Sequence, residues 1–154
     1  TVGLTLEGVR VPADARLEVD LPRLVARGRV ATAALGVGVA RAAFEVARDY
    51  AKEREAFGTK IAQKQAIAFL LAQMAIEIDG ARLLTWEAAW RLDQGHDALR
   101  EATLAVDQVR RIALDVCDGA VQVLGGHGYI RDYLPELLLR NARGLSSFEA
   151  LALV

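Results

Sequence analysis

Three long stretches of the sequence repeat apolar residues at alternating steps of three and four, which is the period of an α-helix. The first stripe contains Val30, Ala33, Val37, Ala40, Phe44, Ala47 and Ala51. The second contains Ile67, Leu71, Met74, Ile78, Ala81, Thr85, Ala88 and Leu92, and the third contains Ala102, Ala105, Val109, Ile112, Val116, Gly119 and Val123. Helices of about 28 residues each span ~40 Å, so they can bury these stripes only by packing side by side.

Helix ends are marked by glycine and proline. We expect the first helix to begin near residue 21, and the three helices to end near Gly58, at Gly95 and at the glycines of 125–128, because glycine enters the left-handed conformation easily. A shorter helix is predicted from Pro135 to Arg143, since proline suits a first turn. Short connections make consecutive helices antiparallel. The sequence therefore predicts an all-α fold, an up-and-down four-helix bundle with a short N-terminal β segment.

The N-terminal residues follow a different period. Residues 2–11 alternate apolar and polar positions, which predicts a half-buried strand that Pro12 ends. One or two short strands cannot make a sheet alone. We therefore interpret residues 1–20 as the end of a β domain with its linker and residues 21–154 as the helical domain, and we expect the chain to be part of a longer protein.

Charge and cysteine content exclude several classes of protein. Lys and Arg total 19 against 20 Asp and Glu, so the net charge of −1 provides no general attraction for nucleic acid. Cys117 is the single cysteine, which rules out an internal disulfide and a cysteine-rich zinc site and favours a buried thiol in a reducing cytoplasm. No apolar run looks long and charge-free enough to span a bilayer. The many alanines and glycines favour close helix packing, with apolar surface left for other subunits.

Three clusters near the predicted helix ends stand out: Arg54–Gly58 (REAFG), Gln122–Tyr129 (QVLGGHGY) and Arg140–Glu149. Each taken alone has a purely structural explanation. The glycines could be helix caps, Arg54 a solvated charge, and Phe57 an apolar staple beneath the turn. Spacing alone leaves these alternatives open.

Together the clusters resemble the acyl-CoA dehydrogenase family. Its helical domain carries an R-E-A-F-G turn, a following glutamine, Q-x-x-G-G-x-G-Y, an R-D-A-K stretch and a catalytic Y-E-G-T segment. Here those segments read Arg54 to Gly58, Gln65 in KQAIAF, Gln122 to Tyr129, Arg140-Asn141-Ala142-Arg143 and Phe148-Glu149-Ala150-Leu151. The upstream LEGVRVPAD is similar to the family's exit from its β domain, so the resemblance covers nearly the whole chain.

The resemblance implies FAD as the cofactor, shared with a neighbouring subunit. The cofactor-binding residues that it implies are Arg54, Phe57, Gln65, Gln122, Gly125 and Gly126. An arginine fork suits a pyrophosphate, a phenylalanine suits the face of a flat ring, and glycines let the backbone approach a dinucleotide closely. His127 stands where relatives commonly have a small polar residue, and we expect it to be a solvent-facing loop side chain.

The resemblance also implies a reaction. Members of the family remove the α-proton of an acyl-CoA thioester with a carboxylate, here Glu149, while a hydride passes to the flavin. Some relatives carry the base early in the first long helix instead, but that position is Gly28, before Arg29. Arg29, Tyr129 and Phe148 are the implied substrate-binding residues, with a packing role for Tyr129 still open. Ala150-Leu151 replaces the usual Gly-Thr beside Glu149, which also fits a repurposed relative.

The leading interpretation is an FAD-dependent acyl-CoA dehydrogenase of fatty acid metabolism that needs its N-terminal and β domains for activity. Its implied partners are an acyl-CoA, further copies of the chain in a dimer or tetramer, and electron-transferring flavoprotein. The alternatives are a non-catalytic bundle that serves assembly or nucleotide binding, and an acyl-CoA oxidase-like or nitroalkane oxidase-like flavoenzyme. The reading frame upstream of Thr1 would separate the first two.

Overall fold

The computed structural model describes residues 5–145, and most of them lie in four α-helices. These are α1 (Leu21–Glu53), α2 (Gln65–Asp93), α3 (Leu99–Leu124) and α4 (Leu134–Leu145). A short hairpin of β1 (Glu55–Ala56) and β2 (Thr59–Lys60) connects α1 to α2. The predicted all-α four-helix bundle is confirmed.

Contacts between helix ends show the direction of each helix. Arg23 Nη2 near the start of α1 donates to the Leu92 carbonyl near the end of α2, at 3.4 Å, so these helices are antiparallel. Tyr133, just before α4, packs against Tyr50 near the end of α1, which makes that pair antiparallel as well. Helices α1 and α3 run parallel and adjacent, and Arg29 Nη1 donates to Thr103 Oγ1 between them at 2.7 Å.

Small residues allow α1 and α3 to approach closely. Ala33, Ala40, Ala43, Ala47 and Ala51 of α1 are fully buried. At Gly36 an added Cβ would overlap Val109 Cγ1 of α3. The core of the bundle therefore lies along a seam where helix backbones meet with little side-chain volume between them.

Helix α1 ends earlier than the sequence predicted. The helix begins at Leu21, as the sequence predicted, and Asp20 caps it. The Asp20 carboxylate accepts the Arg23 N–H at 3.1 Å. At the other end, Arg54 leaves the helical conformation with φ −69° and ψ 128°. Gly58 therefore forms the hairpin turn and does not cap α1. Gly95 (φ 76°) and Gly125 (φ 58°) do follow α2 and α3 as predicted.

The predicted N-terminal strand is not formed in the described residues 5–11. This segment has no strand partner in the part of the chain that the structure describes, and a strand needs one for its backbone hydrogen bonds. Leu6, Val9 and Val11 are exposed as a result. Residues Ala13–Ala15 form one 3₁₀ turn before α1.

By length and composition α1 could cross a membrane, with a mean hydropathy of 1.5 over its most apolar window. The expectation that no apolar run is long and charge-free enough to span a bilayer is therefore wrong for α1. In the structure one third of this window is buried, and α1 packs against α2, α3 and α4.

Cys117 is buried on α3, as predicted for a structural thiol. Burial raises its pKa to about 12, because the thiolate would lose its hydration. The thiol therefore remains neutral and unreactive across the physiological pH range.

Candidate functional site

The hairpin after α1 has a strained turn. Ala56 pairs with Thr59, so Phe57 and Gly58 form a two-residue loop, and both have positive φ values, 54° and 77°. Such loops favour Asn-Gly or Gly-Gly, because a bulky residue enters the left-handed region only at a cost. Phe57 is the only non-glycine residue with positive φ among residues 5–145. Strain of this kind, on the order of 1–3 kcal/mol, is concentrated at functional positions.

The Phe57 ring is not packed against the described chain. Its side chain is 96% exposed, and Lys64 Nζ lies 6.0 Å from the ring centroid. A staple beneath the turn would be buried, so the structural explanation for Phe57 is wrong. An exposed aromatic ring held at a strained turn is suited to contact a molecule outside this chain.

The glycine segment Gly125–Tyr129 follows α3 as a 3₁₀ turn. Gly125 has φ 58° and ψ −129°, a conformation open to glycine, and its N–H donates to the Gln122 carbonyl. Gly128 is buried against α3, where an added Cβ would overlap the Val121 carbonyl oxygen. Neither reason applies to Gly126. Its φ lies outside the left-handed region, and no atom lies within 4 Å of the position that a Cβ would take.

The end of α1 with the hairpin forms one wall of an open cleft of about 350 Å³, and the glycine segment forms the other. The cleft is lined by Tyr50, Arg54, Ala56, Ile61, Val123, Leu124, Gly125, Gly126 and His127. Three of the predicted cofactor residues, Arg54, Gly125 and Gly126, thus meet in one place. Their meeting supports a common role that no single motif could show.

Arg54 is the cation available in this cleft. Its side chain is exposed and makes no hydrogen bond or ion pair with any other residue of 5–145. The neighbouring Glu55 instead pairs with Lys60 at 2.8 Å, and the hydrogen bond from Lys60 lowers the pKa of that carboxyl below its usual value. Because Glu55 is already paired, Arg54 is left to bind an anion.

His127 is half-buried and hydrogen-bonded to Tyr50, so it is not the solvent-facing loop side chain that the sequence predicted. Its Nδ1 lies 2.8 Å from the Tyr50 hydroxyl, and its ring is half-buried with its centroid 5.0 Å from that of Tyr133. Neither tyrosine was a candidate from the sequence. Tyr50 lies one helical turn before Arg54, and this spacing was the signal that could have identified it.

The remaining predicted site residues among 5–145 are not among those that line the cleft. Gln65 begins α2 and Gln122 lies in the last turn of α3, both exposed, and Tyr129 is 70% exposed after the glycine segment. Arg29 is buried on α1, about 25 residues or ~37 Å along the helix from Arg54. The structure does not bring Tyr129 and Arg29 together.

Phe148 and Glu149 lie outside the described residues. Their roles in substrate binding and catalysis stay predictions, as do those of Gln65, Gln122, Tyr129 and Arg29. The cleft is therefore the part of the site whose geometry is defined.

Comparisons with known proteins agree with this arrangement. A family model described as the acyl-CoA dehydrogenase C-terminal domain matches residues 21–149. The chain is 41% identical over 150 residues to the probable acyl-CoA dehydrogenase YngJ of Bacillus subtilis, covering 93% of this chain and 39% of that protein. It is 38% identical over 155 residues to the caffeyl-CoA reductase-Etf complex subunit CarC of Acetobacterium woodii, covering 97% and 41% respectively.

A solved structure shows the same fold. Butyryl-CoA dehydrogenase from Megasphaera elsdenii matches with a TM-score of 0.82 and 32% identity, over 84% of this chain and 34% of that one. The chain spans about two fifths of the length of the two curated relatives.

Proposed function

Since the chain belongs to the acyl-CoA dehydrogenase family, we propose that it provides the C-terminal helical domain of an enzyme that oxidises an acyl-CoA thioester to a 2-enoyl-CoA with FAD. The observation that carries this proposal is the cleft, where Arg54, which has no ion-pair partner among residues 5–145, faces a glycine segment. The chain covers about two fifths of the two curated relatives, and activity would need the N-terminal and β domains that the family resemblance implies.

The cleft fits one part of a dinucleotide. Arg54 can form two parallel hydrogen bonds to a pyrophosphate, and Gly126 leaves room for the backbone to approach it. A volume of about 350 Å³ is at the small end of ligand pockets, so the rest of the cofactor would be bound elsewhere. The exposed Phe57 would face a ring of the same ligand, with Gln65 and Gln122 beside it. When bound, FAD would accept the hydride.

The second part of the proposal concerns Arg29 and Glu149. Helix α4 ends at Leu145, whose Cδ1 lies 3.9 Å from the Cβ position of Gly36 on α1. Arg29 lies about seven residues before Gly36, ~10 Å along the helix. The described part of α4 therefore ends toward the Arg29 end of α1. We propose that Glu149 removes the α-proton and that Arg29 and Phe148 help to bind the substrate.

The absorbance spectrum of the full-length protein tests the proposed function. We expect flavin to co-purify and acyl-CoA thioesters to bleach it under anaerobic conditions. Protein without flavin would favour the non-catalytic assembly alternative. Rapid reoxidation of the bleached protein by oxygen would favour an oxidase.

The electron acceptor and the cellular setting are part of the proposal. One relative is named as a subunit of a complex with Etf, which supports electron-transferring flavoprotein as the partner. We place the protein in the cytoplasm and in fatty acid metabolism. Electron transfer to purified electron-transferring flavoprotein would test the partner.

Arg54→Ala is expected to weaken FAD retention by about tenfold or more, because a charge-assisted hydrogen bond to phosphate contributes roughly 1.5–3 kcal/mol. Its effect on folding should be small, since the side chain is exposed and unpaired within the described chain. Flavin loss and thermal unfolding of the full-length protein measure the two effects. Arg41→Ala, at an exposed arginine paired with Glu45, is the matched control. Collapse of stability with unchanged flavin retention would contradict the cofactor assignment.

We also propose a dimer or tetramer, and the outward side of α2 suits self-association. The α2 stripe consists of apolar side chains at seven-residue intervals with one addition: Phe69, Ile76, Leu83, Trp86 and Trp90. Each is between 57% and 67% exposed. A continuous apolar stripe of this length is unusual on a monomer.

Leu83→Lys, at the centre of the α2 stripe, is expected to weaken self-association by about tenfold or more, because an unpaired charge would be desolvated in the interface. Analytical sedimentation at micromolar protein concentration measures the self-association. Leu35→Lys provides the control, since Leu35 on α1 is similarly exposed at 64% but lies outside the stripe. A wild-type monomer would refute the proposed oligomer.

A further inference from the structure

The hydrogen bond between Tyr50 and His127 joins the two walls of the cleft. We propose that these two residues form a positioning pair, which holds the glycine segment against the end of α1 and so maintains the dinucleotide-binding geometry. The identity of the ligand rests on the proposed function. The hydrogen bond itself does not, because the Tyr50 hydroxyl and His127 Nδ1 lie 2.8 Å apart in this chain.

On one wall, Tyr50 also positions Arg54. The Tyr50 carbonyl accepts the Arg54 N–H at 2.8 Å, and the Arg54 carbonyl accepts the Ile61 N–H at 2.9 Å. These backbone bonds place Arg54 between the end of α1 and the segment after the hairpin. The residue that fixes the backbone of the binding arginine therefore also contacts the opposite wall.

On the other wall, His127 provides the only side chain of the segment 125–128, whose other three residues are glycine. Gly125 and Gly126 are exposed and have no side-chain packing of their own. Gly128 anchors the far end of the segment against Val121. Within the segment 125–128, His127 is thus the only side chain that can tie the two cleft-lining glycines to α1.

This hydrogen bond lies within a cluster of three aromatic rings, which consists of the rings of its two partners and that of Tyr133. The ring centroids of His127 and Tyr133 are 5.0 Å apart, and that of Tyr50 lies 6.0 Å from His127 and 6.4 Å from Tyr133. The rings partly shield the hydrogen bond from water, which strengthens it. The ring contacts also restrict the His127 side chain. Replacing Tyr50 by phenylalanine therefore removes the hydrogen bond and keeps the ring packing.

The test uses the full-length protein with Tyr50→Phe, His127→Leu and the double variant. In the absence of ligand, hydrogen exchange at the amides of 125–128 should rise about fivefold in each variant, the ratio for a net hydrogen bond of ~1 kcal/mol. Flavin loss should accelerate by a similar factor. The double variant should match the single ones, because both remove the same bond. Additive effects, or unchanged exchange in Tyr50→Phe, would overturn the proposal.

Two controls separate positioning from packing. Tyr133→Phe keeps the ring contact to His127, and we expect wild-type exchange and flavin retention. His127→Asn places an amide where Nδ1 lies, so it should restore both properties to within about twofold of wild type. Failure of this rescue would show that His127 acts through ring packing. An equal effect of Tyr133→Phe would show that the effect is not specific to the hydrogen bond between Tyr50 and His127. Either result would overturn the proposal.

The two proposals fail in different ways. If the wild type retains no flavin, the proposed function fails, and the exchange measurement still decides whether Tyr50 and His127 hold the segment. If Arg54→Ala loses flavin while Tyr50→Phe retains it like wild type, the cofactor assignment stands and the positioning pair is refuted.

Discussion

Glu149→Gln is expected to slow the bleaching of bound flavin by acyl-CoA by at least ~10²-fold, the usual scale for losing a positioned general base. The amide is nearly isosteric with the carboxylate, so the fold and the bound cofactor should remain. Stopped-flow mixing of the flavin-loaded full-length protein with a panel of acyl-CoA thioesters measures the rate. The expectation depends on the proposed function and on the role that the family resemblance implies for Glu149.

Glu136→Gln is the matched control for this experiment. Glu136 is a carboxylate on α4 that pairs with Arg140 at 2.9 Å, and this hydrogen bond lowers its pKa. Its substitution should leave the bleaching rate unchanged. Unchanged rates in Glu149→Gln would place the base elsewhere. If the wild type binds flavin but no thioester bleaches it, Ala150-Leu151 beside Glu149 would mark a repurposed relative.

Helical periodicity predicted the fold well, because burial of one stripe fixes both the helix and the face it presents. The first stripe lists Ala33, Ala40, Ala47 and Ala51, and all four are fully buried in the structure. Glycine predicted the ends of α2 and α3, because the left-handed conformation that ends a helix is a property of the single residue. At Gly58 this reasoning failed, because the left-handed residue belongs to a hairpin and not to a cap.

The cleft could be predicted only in part. Arg54, Gly125 and Gly126 come from motifs, and the structure shows that they line one space. Tyr50 and His127 depend on a contact between residues 77 positions apart, which no local pattern encodes. The N-terminal alternation gave a different error. It indicates a face to be buried but cannot supply the partner strand that burial requires.

The three glycines of GGHG look alike in the sequence, but the structure separates their roles and predicts opposite outcomes for two substitutions. In Gly128→Ala the new Cβ would overlap the Val121 carbonyl oxygen and lie 2.9 Å from its Cα. These are backbone atoms of α3, which cannot rotate away, so the helix or the turn must shift. We expect a loss of about 3 kcal/mol in the free energy of unfolding, at the upper end of the usual cost of overpacking.

Gly126→Ala is the matched substitution two residues away. Its Cβ would meet no atom within 4 Å and its φ is not left-handed, so the free energy of unfolding should be unchanged or rise by up to ~1 kcal/mol as the unfolded chain loses freedom. Because Gly126 lines the cleft, the same methyl group should accelerate flavin loss. Denaturant unfolding and flavin release of both variants measure the contrast. Equal stability losses would show that Gly126 is required by the fold, and its place in the cofactor site would then lose its support.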